Sequence, residues 1–79
     1  MKVYNNECAQ RIYDLLAPMI GDLMARGTIK SKAGLIGVTE ETITLSDLPH
    51  LDGEIKKGLV IFLGTDAAGK LADKIRHIC

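Results

Sequence analysis

Gly58-Leu59-Val60-Ile61-Phe62-Leu63-Gly64 is the stretch on which the fold of this chain turns. Five consecutive apolar residues stand between two glycines, two of them β-branched and one aromatic. That composition matches a strand covered on both faces, and a run of five is short for a helix. Read this way, residues 59–63 form the middle of a small sheet, and the rest of the chain must be arranged to cover it.

Downstream, Gly64 ends the strand and Thr65 or Asp66 caps a final helix. Ala68, Leu71, Ala72, Ile75 and Ile78 supply its inward stripe. Lys74, Arg76 and His77 fall in its last turn, where positive charge complements the helix dipole. Upstream, residues 46–58 read as a linker. Pro49 excludes a central strand, and Asp52-Gly53 is a dipeptide favoured in tight hairpin turns, although a loop holding one helical turn fits equally well.

Further upstream, Thr42-Ile43-Thr44-Leu45 alternates, with Ile43 and Leu45 expected on the core side. Gly34-Leu35-Ile36-Gly37-Val38 is apolar, and Thr39-Glu40-Glu41 makes a polar break between the two pieces, so together they read as a β-hairpin. At the N-terminus, Cys8, Ile12, Leu15, Met19 and Leu23 recur at helical spacing, with Leu16, Ile20 and Met24 widening the stripe. The pattern predicts a helix over 6–26, capped by Asn5 or Asn6, stopped by Gly27 and kinked near Ala17 by Pro18. The expected fold class is therefore α+β: one domain over 1–79 in the order αβββα, with a mainly antiparallel three-stranded sheet between a kinked N-terminal helix and a C-terminal helix.

Composition limits function. With 79 residues, 47% of them hydrophobic, the chain can build one core but is near the size at which small folds need added staples. Ten basic and ten acidic residues cancel and are scattered, which lacks the basic footprint of a nucleic-acid binder. No apolar run approaches the roughly 20 residues that cross a bilayer, and no leader pattern opens the chain, so the expectation is a cytoplasmic protein without membrane contact. In that setting Cys8 and Cys79 are expected as reduced thiols, Cys8 packing as a small hydrophobe on the first helix.

At the strand-to-helix junction, Gly64-Thr65-Asp66-Ala67-Ala68-Gly69-Lys70 resembles the phosphate-binding loop of P-loop nucleotide hydrolases. The resemblance implies an anion held by backbone N–H groups around Gly64, Thr65 and Gly69 with Lys70 on the phosphate. Leu71 stands where the family has its Mg²⁺-binding hydroxyl, Asp66 would place a negative charge in the cradle, and no later strand follows to carry a metal-organising carboxylate. Anion binding is what these residues retain, not nucleotide hydrolysis.

Other clusters carry less. His50, Asp52 and Glu54 share one side only if their backbone is extended. His77 and Cys79 could join Cys8 in a soft metal or redox site only through an assumed packing. Asp14 and Asp22 share a helix face on its polar side. No catalytic constellation, no metal site and no cofactor can be named. What remains is assembly, because a small sheet with an unpaired edge and a strand needing cover on both faces calls for a partner. The expected function is a non-enzymatic interaction or regulatory module acting as a homo-oligomer or as a subunit, with Ile12, Met19, Leu23 and Met24 at its interface. The alternative is a small-ligand or anion-binding regulatory domain using the turn from Gly64 to Lys70.

Overall fold

The computed structural model of the chain describes residues 2–77. Three α-helices and one short 3₁₀ turn follow in order: α1 Glu7–Ile20, α2 Asp22–Leu35, the 3₁₀ turn Leu45–Asp47, and α3 Leu48–Arg76. Among the described residues there is no strand, so the expected three-stranded sheet and the α+β class are overturned. The fold is all-helical.

Each expected strand fails for a local reason. Residues 34–38 are the last residues of α2 and the cap that follows it. Gly37 has φ +84°, its N–H donates to Gly34 O at 3.2 Å, and Val38 N–H donates to Ala33 O at 3.0 Å. This pair of bonds is a Schellman cap, in which a left-handed glycine lets the chain turn back and satisfy the last carbonyls. Residues 39–42 form a turn closed by Thr42 N–H on Thr39 O at 3.0 Å, with the Thr39 N–H on Thr42 Oγ1 at 2.8 Å. Past it Ile43 is buried, but Leu45, expected beside it in the core, is exposed.

Residues 59–63 lie inside α3. The helix starts where Thr44 N–H donates to the Asp47 carboxylate at 2.9 Å and Pro49 occupies the first turn, a position whose N–H has no intrahelical acceptor. From there Leu48, Leu51, Ile55 and Leu59 are all buried, a stripe at helical spacing that runs straight through Gly53 and Gly58. Glycine in a helix interior costs about 1 kcal/mol, an amount the stripe's burial readily offsets. The two glycines read as punctuation are tolerated residues of a long helix.

The N-terminal helix also divides differently. Asn6 caps α1 as expected, its Oδ1 accepting Ala9 N–H at 3.0 Å. Pro18 sits inside α1, and the break comes at Gly21 rather than at Gly27, which lies in the interior of α2. Gly21 has φ +90° and ψ 161°, and α3 contains a break of the same kind at Gly64, with φ +84° and ψ 167°. Only glycine reaches this region without strain. The molecule therefore consists of two helix–glycine–helix corners joined by residues 36–44.

The corners share a sequence pattern. Ile12, Leu16, Gly21 and Ala25 recur with identical spacing as Ile55, Leu59, Gly64 and Ala68, and the apolar members of both sets are buried. Ile29 and Ala72 continue the correspondence, again both buried. One cluster of apolar side chains from all three helices, with Tyr4 and Ile43, makes the core. The final stripe of Ala68, Leu71, Ala72 and Ile75 is buried as its periodicity predicts, while Ile78 lies outside the described residues.

Cys8 is disulfide-bonded, and among the described residues no cysteine is free. The expectation of a reduced thiol at Cys8 is corrected. The sequence holds one other cysteine, Cys79, which lies outside the described residues, as does that end of the proposed Cys8–His77–Cys79 site.

Candidate functional site

α2 is amphipathic only in a narrow sense. Ala25, Ile29 and Ala33 recur every four residues and are fully buried, but its first turn also carries Leu23 and Met24, which are exposed. Small residues on the inner face let α2 sit close to its neighbours. A Cβ placed on Gly58 of α3 would lie 3.2 Å from the Lys32 Cε of α2, so the absent side chain at Gly58 makes room for that lysine stem.

This approach leaves a groove of about 270 Å³ between α2 and the first arm of α3, residues 48–63. Leu59 and the half-buried Ile20 lie within it, while Leu23 (78% exposed), Met24 and Phe62 (62% exposed) stand around it. Thr28, Ser31 and Lys32 give one side a polar edge. The groove thus has a mostly apolar lining with a polar margin, and large apolar side chains beside it are left in water.

Of the residues expected at an interface, Leu23 and Met24 line this groove, Met19 is half exposed, and Ile12 is fully buried in the core and takes no part in the surface. The apolar run around Phe62 predicts a strand interior, whereas the residue lies in α3. Its exposure follows from the helix, which turns the run through all directions so that Leu59 points inward while Ile61 and Phe62 face water.

A polar network fixes the corner beside the groove. Tyr13 on α1 donates its hydroxyl to Asp22 Oδ1, and Arg26 donates to Asp22 Oδ2 at 2.7 Å. The Tyr13 bond and then the Arg26 charge hold the Asp22 carboxyl below the usual aspartate range against some desolvation, and the same bond pushes the Tyr13 phenol up. Asp22 also occupies the first turn of α2, where negative charge meets the positive end of the helix. The expected pairing of Asp14 with Asp22 on one helix face does not occur, because Gly21 separates them and Asp14 instead accepts from Gln10 Nε2 at 2.9 Å.

The residues expected to hold an anion, Gly64, Thr65, Gly69 and Lys70, span the break in α3 and the turns after it. Helix, not strand, precedes Gly64, so the resemblance to a P-loop lacks its first element. Gly69 faces the Lys56 side chain, with the site of its missing Cβ 3.9 Å from Lys56 Cε. Residues 50, 52 and 54 are helical, and a spacing of two puts neighbours about 200° apart. Accordingly, His50 is exposed and Asp52 buried. Among the described residues no group of three His, Cys, Asp or Glu side chains is placed to hold a metal ion, and no helix is long and apolar enough to cross a membrane.

The comparisons add no relative to this geometry: no family profile, no curated protein and no solved structure matches the chain.

Proposed function

We propose that the chain is a non-enzymatic interaction module that self-associates through the groove between α2 and the first arm of α3. The observation carrying this reading is the grouping of Leu23, Met24 and Phe62, all substantially exposed, around one apolar groove. Burying three such side chains is worth about 1.5 to 3 kcal/mol each in transfer terms before the cost of association is subtracted. A net charge of zero also favours association of like chains, since no overall repulsion opposes it. Docking to a different protein as a subunit would use the same face. The disulfide at Cys8 sets aside the reducing cytoplasm as the favoured compartment, and we take the working state as oxidised.

The test is solution mass by light scattering over a range of concentrations, with and without reductant. The expected result is a dimer that dissociates on dilution and is lost in Leu23→Glu and in Phe62→Glu, with helical circular dichroism unchanged. A strict monomer at every concentration removes self-association. The alternative of an anion-binding regulatory domain at Gly64 to Lys70 is not carried forward, since its strand-to-helix premise is gone.

A further inference from the structure

We infer that residues 2–5 are a detachable strap, which opens about Asn6 and, while closed, limits the apolar surface through which the chain meets a second copy. Of the four residues only Tyr4 is buried; Lys2 and Asn5 are exposed and Val3 is half-buried. Their backbone is tied to side chains and not to a helix or sheet. Gln10 Oε1 accepts both the Val3 N–H and the Tyr4 N–H, at 2.6 and 2.9 Å, and the Asn5 N–H reaches Glu41 Oε2 at 3.3 Å. At Asn6 the attachment changes character. Its N–H donates to Glu41 Oε1 at 2.9 Å, its Nδ2 donates to Ile43 O at 2.7 Å, and its Oδ1 caps α1, so residue 6 stays in place when residues 2–5 leave.

Tyr4 is the plug of this strap, and it acts in two directions. Its ring stands edge-on to Tyr13 with centroids 6.1 Å apart and belongs to the apolar core, which favours the closed state. Its hydroxyl is covered and finds no hydrogen-bond partner among the described residues. Burial, and next the Glu40 charge, push the phenol up, so the group is a neutral donor that water would satisfy and the closed state does not. A segment held by one buried side chain and a few backbone bonds to side chains can open while the helices stay folded.

The strap lies next to the association surface. Val3 and Tyr4 line a cleft of about 580 Å³ together with Leu23 and Lys30 of α2 and Glu40 of the linking segment. Leu23 also lines the groove between α2 and the first arm of α3, so one exposed leucine belongs to both. Lifting residues 2–5 takes Val3 and Tyr4 out of the cleft and adds the Tyr13 face that Tyr4 covers to the apolar surface near Leu23. The closed strap is in this sense an autoinhibitory contact. That control rests on the proposed self-association through the groove, whereas the opening itself does not.

The test is amide hydrogen exchange of the dilute protein by NMR, beside dimer affinity from light scattering, in the parent, Tyr4→Phe and Tyr4→Ala. In the parent the Val3 N–H should exchange about a hundredfold faster than the Ile29 N–H inside α2, the mark of local opening. Tyr4→Phe keeps the ring and drops the unmet hydroxyl, so it should slow Val3 exchange by about fivefold and weaken the dimer. Tyr4→Ala removes the plug, so it should speed Val3 exchange by about tenfold and tighten the dimer although the monomer itself becomes less stable. Val3 exchanging no faster than Ile29, or Tyr4→Phe leaving Val3 exchange unchanged, overturns the strap. A dimer of equal affinity in all three proteins overturns its control of association. No dimer in any of them removes the self-association reading and that control with it, while Val3 exchange alone decides the strap.

Discussion

Asp22 joins two helices with one side chain. One oxygen takes the Tyr13 hydroxyl from α1 and the other takes Arg26 from α2, across the corner that Gly21 makes. Because the Asp22 carboxyl is depressed, its contribution is complete above the unfolded aspartate value near pH 3.9 and fades as pH falls through the lower folded value. Tyr13 is raised, so its contribution is complete below about pH 10 and fades as pH rises through the folded value. The stability difference between the parent and Tyr13→Phe, from urea unfolding, should therefore be flat from about pH 4 to pH 10 and shrink on both sides. A difference that does not change with pH would refute this role. At Tyr4 the sign reverses: Tyr4→Phe removes a buried donor without a partner among the described residues and should stabilise the protein by about 1 kcal/mol. The glycines divide by backbone. Gly53 is helical with nothing within 4 Å of a built Cβ, so Gly53→Ala should add about 0.5 to 1 kcal/mol. Gly64→Ala must enter a glycine-only region and should cost about 1 to 3 kcal/mol. Equilibrium denaturation of the pair reads both.

At the level of elements, caps and long stripes are legible in the sequence, while short apolar runs between glycines are not. The Asn6 cap and the stripe of the final helix use residues within one or two turns, and both are present. Residues 59–63 are an apolar run whose period cannot be told from five positions, and the arbitrating stripe of Leu48, Leu51 and Ile55 lies behind Pro49, Asp52 and Gly53, which look like turn residues. Pro49 is a start signal when preceded by Thr44 and Asp47, and Gly37 is a stop signal after a helix with Lys32 in its last turn. Those pairings distinguish α2 and α3 from a hairpin and a loop. For the groove, Leu23 and Met24 were legible as apolar residues in excess of one helix face. The cleft that Tyr4, Lys30 and Glu40 line was not, because only the linking segment folding back on the N-terminus brings them together. The groove's own prediction sits at this scale. Met24→Lys should lower any dimer affinity while leaving unfolding of the monomer within about 0.5 kcal/mol of the parent, since Met24 is already half in water.

For the whole molecule, the radius of gyration of 11.0 Å is close to the roughly 11.6 Å that a compact chain of this length adopts. So small a core benefits from a staple, and the disulfide at Cys8 supplies one. Native protein should resist alkylation at Cys8 until it is reduced, and Cys8→Ala should lose about 2 to 5 kcal/mol, read as a fall in Tm. Alkylation of Cys8 without reductant would show the staple to be absent. The matching spacing of Ile12, Leu16, Gly21 and Ala25 with Ile55, Leu59, Gly64 and Ala68 was open to inspection in the sequence, since an internal repeat needs no structure to be seen, only comparison of the chain with itself. It has a mechanical consequence. Both corners contribute to one apolar cluster, and along the backbone they are joined by a single stretch, residues 36–44. A nick within that stretch, with the disulfide at Cys8 reduced, would leave two peptides that are each incomplete alone but complementary in shape, so that structure restored by mixing them would report on the pairing of halves rather than on the folding of either.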